Sequence, residues 1–213
     1  MLINYKNLTI RNAVAADAEL LCTWWNDSNI MAQFGLPNGA GCTPEEIRKG
    51  IADNKDDNRH IIELDSKPIG EMNYRNFCYP EGIIEFDGKP ISEIDYRNMD
   101  GAAEPGIKIC DFSERDKGYG TKLLIVFIDA LFRYYGYEKI IIDTDLKNER
   151  AQHIYEKKLG FRRIGIQKNS SRDESEYYES VVYFEMNKSE WFAFRKESLE
   201  YVHIPCDNMI EKG

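Results

Sequence analysis

Apolar and polar residues alternate over LTIRNAV (Leu8–Val14), the period of a half-buried strand. The period then changes. After Asp17, the residues Leu20, Leu21, Trp24 and Trp25 recur at helical spacing, which predicts a helix capped by Asp17. FGLPNGAG (Phe34–Gly41) interrupts the pattern with three glycines and a proline and reads as a loop. Thr43, Pro44 and Glu46 then form a capping box, opening a short helix that runs to about Ile51. DNKDDN (Asp53–Asn58) is a charged turn.

Further on, GIKIC (Gly106–Cys110) reads as a strand. Tyr119–Tyr135 reads as a helix that is apolar nearly all round, with only Lys122, Asp129 and Arg133 forming a polar stripe, so burial on most sides is expected. Gly136 stops it. EKIIIDTD is a strand, NERAQHIYEKKLG a helix ended by Gly160, FRRIGIQ a strand, KNSSRDESEYYES a polar loop and VVYFEM the last strand expected. From Asn187 the chain reads as a helix or a tail. This order predicts an α/β (α+β) fold: a mixed sheet, antiparallel on its N-terminal side, with a β-α-β crossover in the middle. The expected organisation is a single domain over 1–194 and a C-terminal tail over 195–213.

Between the two halves lies a duplication. IIELDSKPIGEMNYRN (Ile61–Asn76) recurs as IIEFDGKPISEIDYRN (Ile83–Asn98), with 11 of 16 positions identical at an offset of 22. Each copy reads as a β-hairpin. The second copy runs through MDGAA into the strand at Gly106 and is expected to pair there, leaving the first to widen the sheet or project from it. A projecting copy would expose strand edges, so a homodimer is as admissible as a monomer.

Composition narrows the function. The 213 residues are 42% hydrophobic, enough for one core, and carry a net charge of −9. No basic patch marks a nucleic-acid binder, and an acidic chain better suits cationic partners such as amines. Five scattered cysteines with no C-x-x-C, and three scattered histidines, predict reduced thiols and no metal site. With no long apolar run, no membrane partner is expected, and the chain reads as soluble and cytoplasmic.

The chemistry concentrates at RDKGYGTKLL (Arg115–Leu124), where a strand meets a helix through two glycines and three basic residues. The first N–H groups of a helix have no intrahelical partner and lie at the positive end of its dipole. Gly118 and Gly120 permit an anion to approach that backbone. Neither the G-x-x-x-x-G-K-[ST] nor the G-x-G-x-x-G pattern is present, so a diphosphate of another type is expected.

R-D-K-G-Y-G resembles the Arg/Gln-x-x-Gly-x-Gly/Ala pyrophosphate loop of the GCN5-related N-acetyltransferases (the GNAT superfamily). NERAQHIYEKKLGF (Asn148–Phe161) resembles that family's second acetyl-coenzyme A segment, Asn-x-x-Ala-x-x-x-Tyr-x-x-x-Gly-Phe. The likeness extends over roughly Leu8–Trp191. Its style is most similar to the branch holding ribosomal-protein N-terminal and aminoglycoside 6′-N-acetyltransferases.

The resemblance implies acetyl-CoA as cofactor. It assigns the pantetheine arm to the strand carrying Ile107, Lys108 and Ile109, and the pyrophosphate to the backbone of Arg115, Asp116, Lys117, Gly118, Tyr119, Gly120 and Thr121. Asn148 and Ala151 would line the channel. Tyr155 matches the tyrosine near the thioester sulfur, placed to protonate the leaving thiolate. Glu104, just before the cofactor strand, is the expected base. Glu71 and Glu93 occupy equivalent places in the two hairpins, and at most one can take the family's position. Trp25 and Asp27, with the loops 34–41 and 170–180, would face the acceptor, and Asp143 and Asp145 are expected anchors for a cationic one. The implied reaction is direct acetyl transfer to a primary amine of a small cationic molecule. A peptide N-terminus as acceptor, or a non-catalytic acyl-CoA-binding module, are the alternatives.

One departure bears on structure. The family has glycine four residues after the tyrosine, whereas Tyr155 and Gly160 are separated by five. The extra residue is expected to widen the last turn of that helix.

Overall fold

The structure, a computed structural model, describes residues 1–53, 58–77, 84–86, 89–90, 101–171, 178–195 and 200–204. Among these residues eleven strands form one sheet in the order β11-β1-β2-β3-β4-β7-β8-β10-β9-β5-β6. β1 (Leu2–Tyr5), β2 (Leu8–Asn12), β3 (Asn58–Leu64), β4 (Lys67–Asn76) and β7 (Ala103–Ile109) are joined antiparallel. β8 (Lys139–Asp145) pairs antiparallel with β10 (Tyr178–Asn187), and β10 with β9 (Arg162–Ser171). The halves meet where β7 runs parallel to β8.

The helices α1 (Ala18–Asn26), α2 (Ser28–Met31) and α3 (Pro44–Asp53) lie between β2 and β3 in the chain. α1 and α3 pack over Ile61 through Ala18, Leu21 and Ile47. The capping box forms as the sequence predicts: Thr43 N donates to Glu46 Oε2 at 2.8 Å, and Glu46 N donates to Thr43 Oγ1 at 3.3 Å. Asp17 does start α1, but its carboxylate makes no capping bond. It receives Val14 N and both terminal nitrogens of Arg11, each at 2.8 Å. On the other face the main core gathers α4 (Tyr119–Tyr134), β7, β8 and Trp191 of α6 (Lys188–Phe194). Of the ten helix positions from Leu123 to Phe132 all but Ile125 are buried, as the near-absence of a polar face requires.

The duplicated hairpin overturns one expectation. The first copy, β3–β4, enters the sheet, and β4 pairs with β7 from Gly70↔Ile109 to Asn76↔Ala103. Of the second copy, β5 (Ile84–Phe86) and β6 (Lys89–Pro90) lie at the far edge, with β5 paired to β9. The rest of that copy, Glu93 included, lies outside the described residues.

A single position explains the choice. A Cβ on Gly70 would stand 2.2 Å from Lys108 O and 3.0 Å from Ile109 Cα, so only glycine permits β4 to approach β7 this closely. The equivalent residue of the second copy is Ser92. Arg59, which pairs with buried Glu71, likewise has Glu81 as its counterpart.

Two strands escape the hydrophobic pattern. β1 is only four residues long, and β11 (Val202–Ile204), within the stretch read as a tail, pairs with it antiparallel. Among the described residues, no helix is long and apolar enough to cross a membrane.

Candidate active site

The parallel pairing of β7 with β8 contains one matched pair, Ala103 with Ile140. β4 follows β7 along its whole other edge, and β10 does the same for β8. Beyond Ala103 and Ile140 the two inner edges therefore face each other without a ladder. This is a wedge in the middle of the sheet, edged by bare backbone.

At the wide end of the wedge stands the start of α4. Its N-cap is Gly118, left-handed at φ +80°, and no side chain caps the helix. Asp116 is also left-handed, at φ +64°. Alternating left-handed residues turn successive N–H groups into one concavity, which suits an anion, and the helix dipole adds to it. The amides of Tyr119, Gly120 and Thr121 form its rim.

Four basic residues around this cradle are already engaged. Arg115 Nε donates to Ile109 O at 2.8 Å while its guanidinium lies 3.9 Å from the Phe112 ring centre, so it splints the end of β7. Lys117 pairs with Glu114 at 2.9 Å, and Arg150 with Asp116. Lys67 pairs with Asp111 at 2.7 Å, which holds the Asp111 carboxyl down at about 2. Charge is thus arranged around the cradle rather than aimed into it.

Past β8, Asp145 Oδ1 accepts from Lys147 N at 2.7 Å, and Asn148 caps α5 (Glu149–His153) by accepting from Ala151 N at 3.1 Å. The helix continues as a π turn over Ile154–Lys158, with Leu159 N donating to Ile154 O at 3.0 Å. The widened turn expected from the five-residue spacing is present, and Tyr155 sits on it. Gly160 closes it at φ +76°, where a Cβ would meet the Phe194 ring at 2.8 Å. Tyr155 packs edge-on to Phe184, with ring centres 5.6 Å apart, and burial pushes its phenol up to about 12.

Strand alternation sorts the other candidates by face. Ile107 and Ile109 point into the main core with Tyr155. Lys108 points to the opposite face, where it meets a cluster that sequence reasoning did not assemble. Glu71, 3% exposed, accepts from Trp25 Nε1 at 2.7 Å, Arg59 Nη1 at 2.9 Å and Lys108 Nζ at 3.1 Å. Burial alone would raise its carboxyl, but Lys108, Arg59 and Trp25 together hold it below the ordinary carboxylate range. The Arg59 guanidinium lies 4.2 Å from the Trp25 ring centre, and the Lys108 ammonium 4.7 Å from that of Phe34.

Glu104 lies on the same face of β7, clamped by Arg75 through Nη2–Oε1 at 2.8 Å and Nε–Oε2 at 3.1 Å. Asp143 and Asp145 share a face with Ile141, Val181 and Tyr183, as their cross-strand register requires. Asp27 instead caps α2, accepting from Asn29 N at 2.8 Å. Of the loop 170–180, residues 172–177 lie outside the described residues. A cavity of about 730 Å³ also borders Trp25 and Arg59, but its other walls include Ile47, His60, Tyr74 and Tyr134, and no residue of β7 or β8 lines it.

The arrangement places an anion cradle at the mouth of a backbone wedge, a buried phenol on one face and ordered carboxylates on the other. Comparison with known proteins agrees. The family model described as an acetyltransferase (GNAT) domain matches residues 7–162. A search of curated proteins gives no match. Among solved structures, aminoglycoside acetyltransferase AAC(6')-Ib in complex with coenzyme A is similar at 22% identity and a TM-score of 0.65, covering 89% of this chain and 99% of that one. Spermidine N-acetyltransferase from Vibrio cholerae, in complex with coenzyme A and spermine, is similar at 22% identity and a TM-score of 0.66, covering 87% and 98%. A GNAT-family acetyltransferase from Bacillus anthracis is similar at 18% identity and a TM-score of 0.65, covering 89% and 100%. These likenesses carry the fold, while the family model spans most of the chain. The chain therefore belongs to the GNAT family of N-acetyltransferases, enzymes whose acetyl donor is acetyl-CoA.

Proposed function

We propose that the protein transfers acetyl from acetyl-CoA directly to a primary amine of a small cationic molecule, of aminoglycoside or polyamine type. The observation that carries this reading is the wedge between β7 and β8, open beyond a single matched pair and headed by the uncapped start of α4. A pantetheine arm has amides of its own and can complete the edge of β7 beside Ile107, Lys108 and Ile109. The diphosphate then lies on the backbone of residues 115–121, and Asn148 and Ala151 border the channel.

Tyr155 is the assigned acid. Its phenol remains protonated throughout the neutral range and can give a proton to the departing thiolate as the C–S bond breaks. Glu104 is the assigned base, oriented by Arg75, taking the proton of the attacking amine directly or through water. Glu71 is a poorer base, because three donors already occupy its carboxylate. Trp25 helps to wall the acceptor side, and Asp143 and Asp145 on β8 attract the cation. The spermine in the structure of the spermidine N-acetyltransferase supports a polyamine-like acceptor, as does this chain's net charge of −9.

The test is acetyl-CoA-dependent thiol release with two acceptor sets. One holds aminoglycosides and polyamines, the other short peptides with free N-termini. Turnover is expected with the first set. Turnover confined to peptides would replace this reading with N-terminal acetylation.

A further inference from the structure

Three of the five cysteines fall within the described residues. Cys110 is 3% exposed, and burial pushes its thiol up to about 12, so it is inert to mild oxidants. Cys22 and Cys42 differ from it. Both are partly exposed, and the fold brings them together from α1 and from the loop before α3.

Cys22 Sγ lies 3.2 Å from Cys42 O. One side chain spans both residues. Asn26 Nδ2 lies 3.3 Å from Cys22 Sγ and 2.8 Å from Cys42 O, while Asn26 Oδ1 accepts from Cys42 N at 3.1 Å and lies 3.7 Å from Cys42 Sγ. Cys22 also acts on the ionisation of its neighbour: the Cys42 thiol is raised by burial first and by Cys22 next. The same strip of α1 holds the whole loop. Ala40 N donates to Trp25 O at 2.7 Å, and Gly39 sits so close to Asn26 that a Cβ there would stand 2.7 Å from Asn26 O.

We propose that Cys22 and Cys42 form a reversible disulfide that fastens the segment following Phe34 to α1, beside Trp25. A low-molecular-weight disulfide is the oxidant. One protein thiolate attacks it, releasing one small thiol and leaving a mixed disulfide. The second protein thiolate then displaces the other small thiol. Two protein thiols lose two protons and two electrons, and one external disulfide becomes two thiols. A bond between residues about twenty positions apart restricts the unfolded chain, so a well-placed bond raises the melting temperature. This inference does not depend on which amine is the acceptor.

The experiment equilibrates the reduced full-length protein with glutathione disulfide, followed by non-reducing peptide mapping and thermal melting. A peptide linked through Cys22 and Cys42 is expected, with a melting temperature that rises on oxidation and returns on treatment with dithiothreitol. Cys22→Ser is expected to show neither the link nor the rise. Recovery of the two cysteines as free thiols or as separate glutathione adducts would overturn the proposal. So would a linked form that melts below the reduced one.

Discussion

Tyr155 shows how much one residue's surroundings can decide. A phenol near 10 would begin to lose its proton in mildly alkaline buffer, whereas burial holds this one until about 12. Tyr155→Phe keeps the ring against Phe184 and removes only the hydroxyl proposed as the acid. Steady-state kinetics are expected to show turnover falling about 100-fold or more, the size of a lost general acid, with the KM for acetyl-CoA little changed. Unchanged turnover would remove Tyr155 from the reaction while leaving the fold intact. Residues like this were legible because their signal is local: the tyrosine sits in a spaced motif, and Thr43 lies three positions from Glu46. Glu71 was not, since Trp25 and Lys108 lie 46 and 37 positions away and only strand register unites them. Lys108 is the clearest case. The motif put it on the cofactor strand, but period-two alternation turns its side chain to the other face.

At the scale of elements, counting served better than pattern. One residue too many between Tyr155 and Gly160 called for a wider turn, and the π turn is there. Hydrophobic pattern failed for β1 and β11, because three or four residues at a sheet edge carry almost no periodic signal. It also could not choose between the hairpin copies, whose apolar positions are nearly identical. The choice leaves a usable design. Phe77 N donates to Ala102 O at 2.8 Å, and β4 and β7 are paired up to Asn76↔Ala103. Removing residues 78–99 leaves Asp100-Gly101 as the whole connection, and Asp-Gly is a preferred two-residue hairpin turn. Gly101 already has φ +75°. The shortened protein is expected to be soluble and to gain melting temperature on adding acetyl-CoA. Insoluble protein, or a melt indifferent to acetyl-CoA, would show that the second copy is essential to the sheet.

Among the described residues, one buried imidazole ties the molecule's stability to mild acid. His60 is 2% exposed, stacked on Tyr74 and edge-on to Phe127, and its Nδ1 has no partner among the described residues. Burial, reinforced by the positive Met1 ammonium, pushes its imidazole down to about 3. The folded state therefore keeps it neutral while the unfolded chain takes a proton below about 6.5. Stability is present in full above that value and is lost as pH falls toward 3, by about 2 kcal/mol at pH 5. Urea midpoints between pH 8 and pH 5 should decline in the wild type and decline less in His60→Phe. Equal declines would place the acid sensitivity elsewhere. His203 shifts in the same direction, and comparison of the two proteins removes its share.

The glycine at the crossing of β4 and β7 reaches further than the finished fold. A chain with two near-copies of one hairpin has two candidates for one slot, and they differ where the first carries Gly70 and the second Ser92. Ser92 would drive its Cβ into a backbone carbonyl that cannot yield, so that docking stalls before the strand is home. Gly70 thus acts as a proofreading mark, by which a chain carrying the same hairpin twice rejects its own decoy.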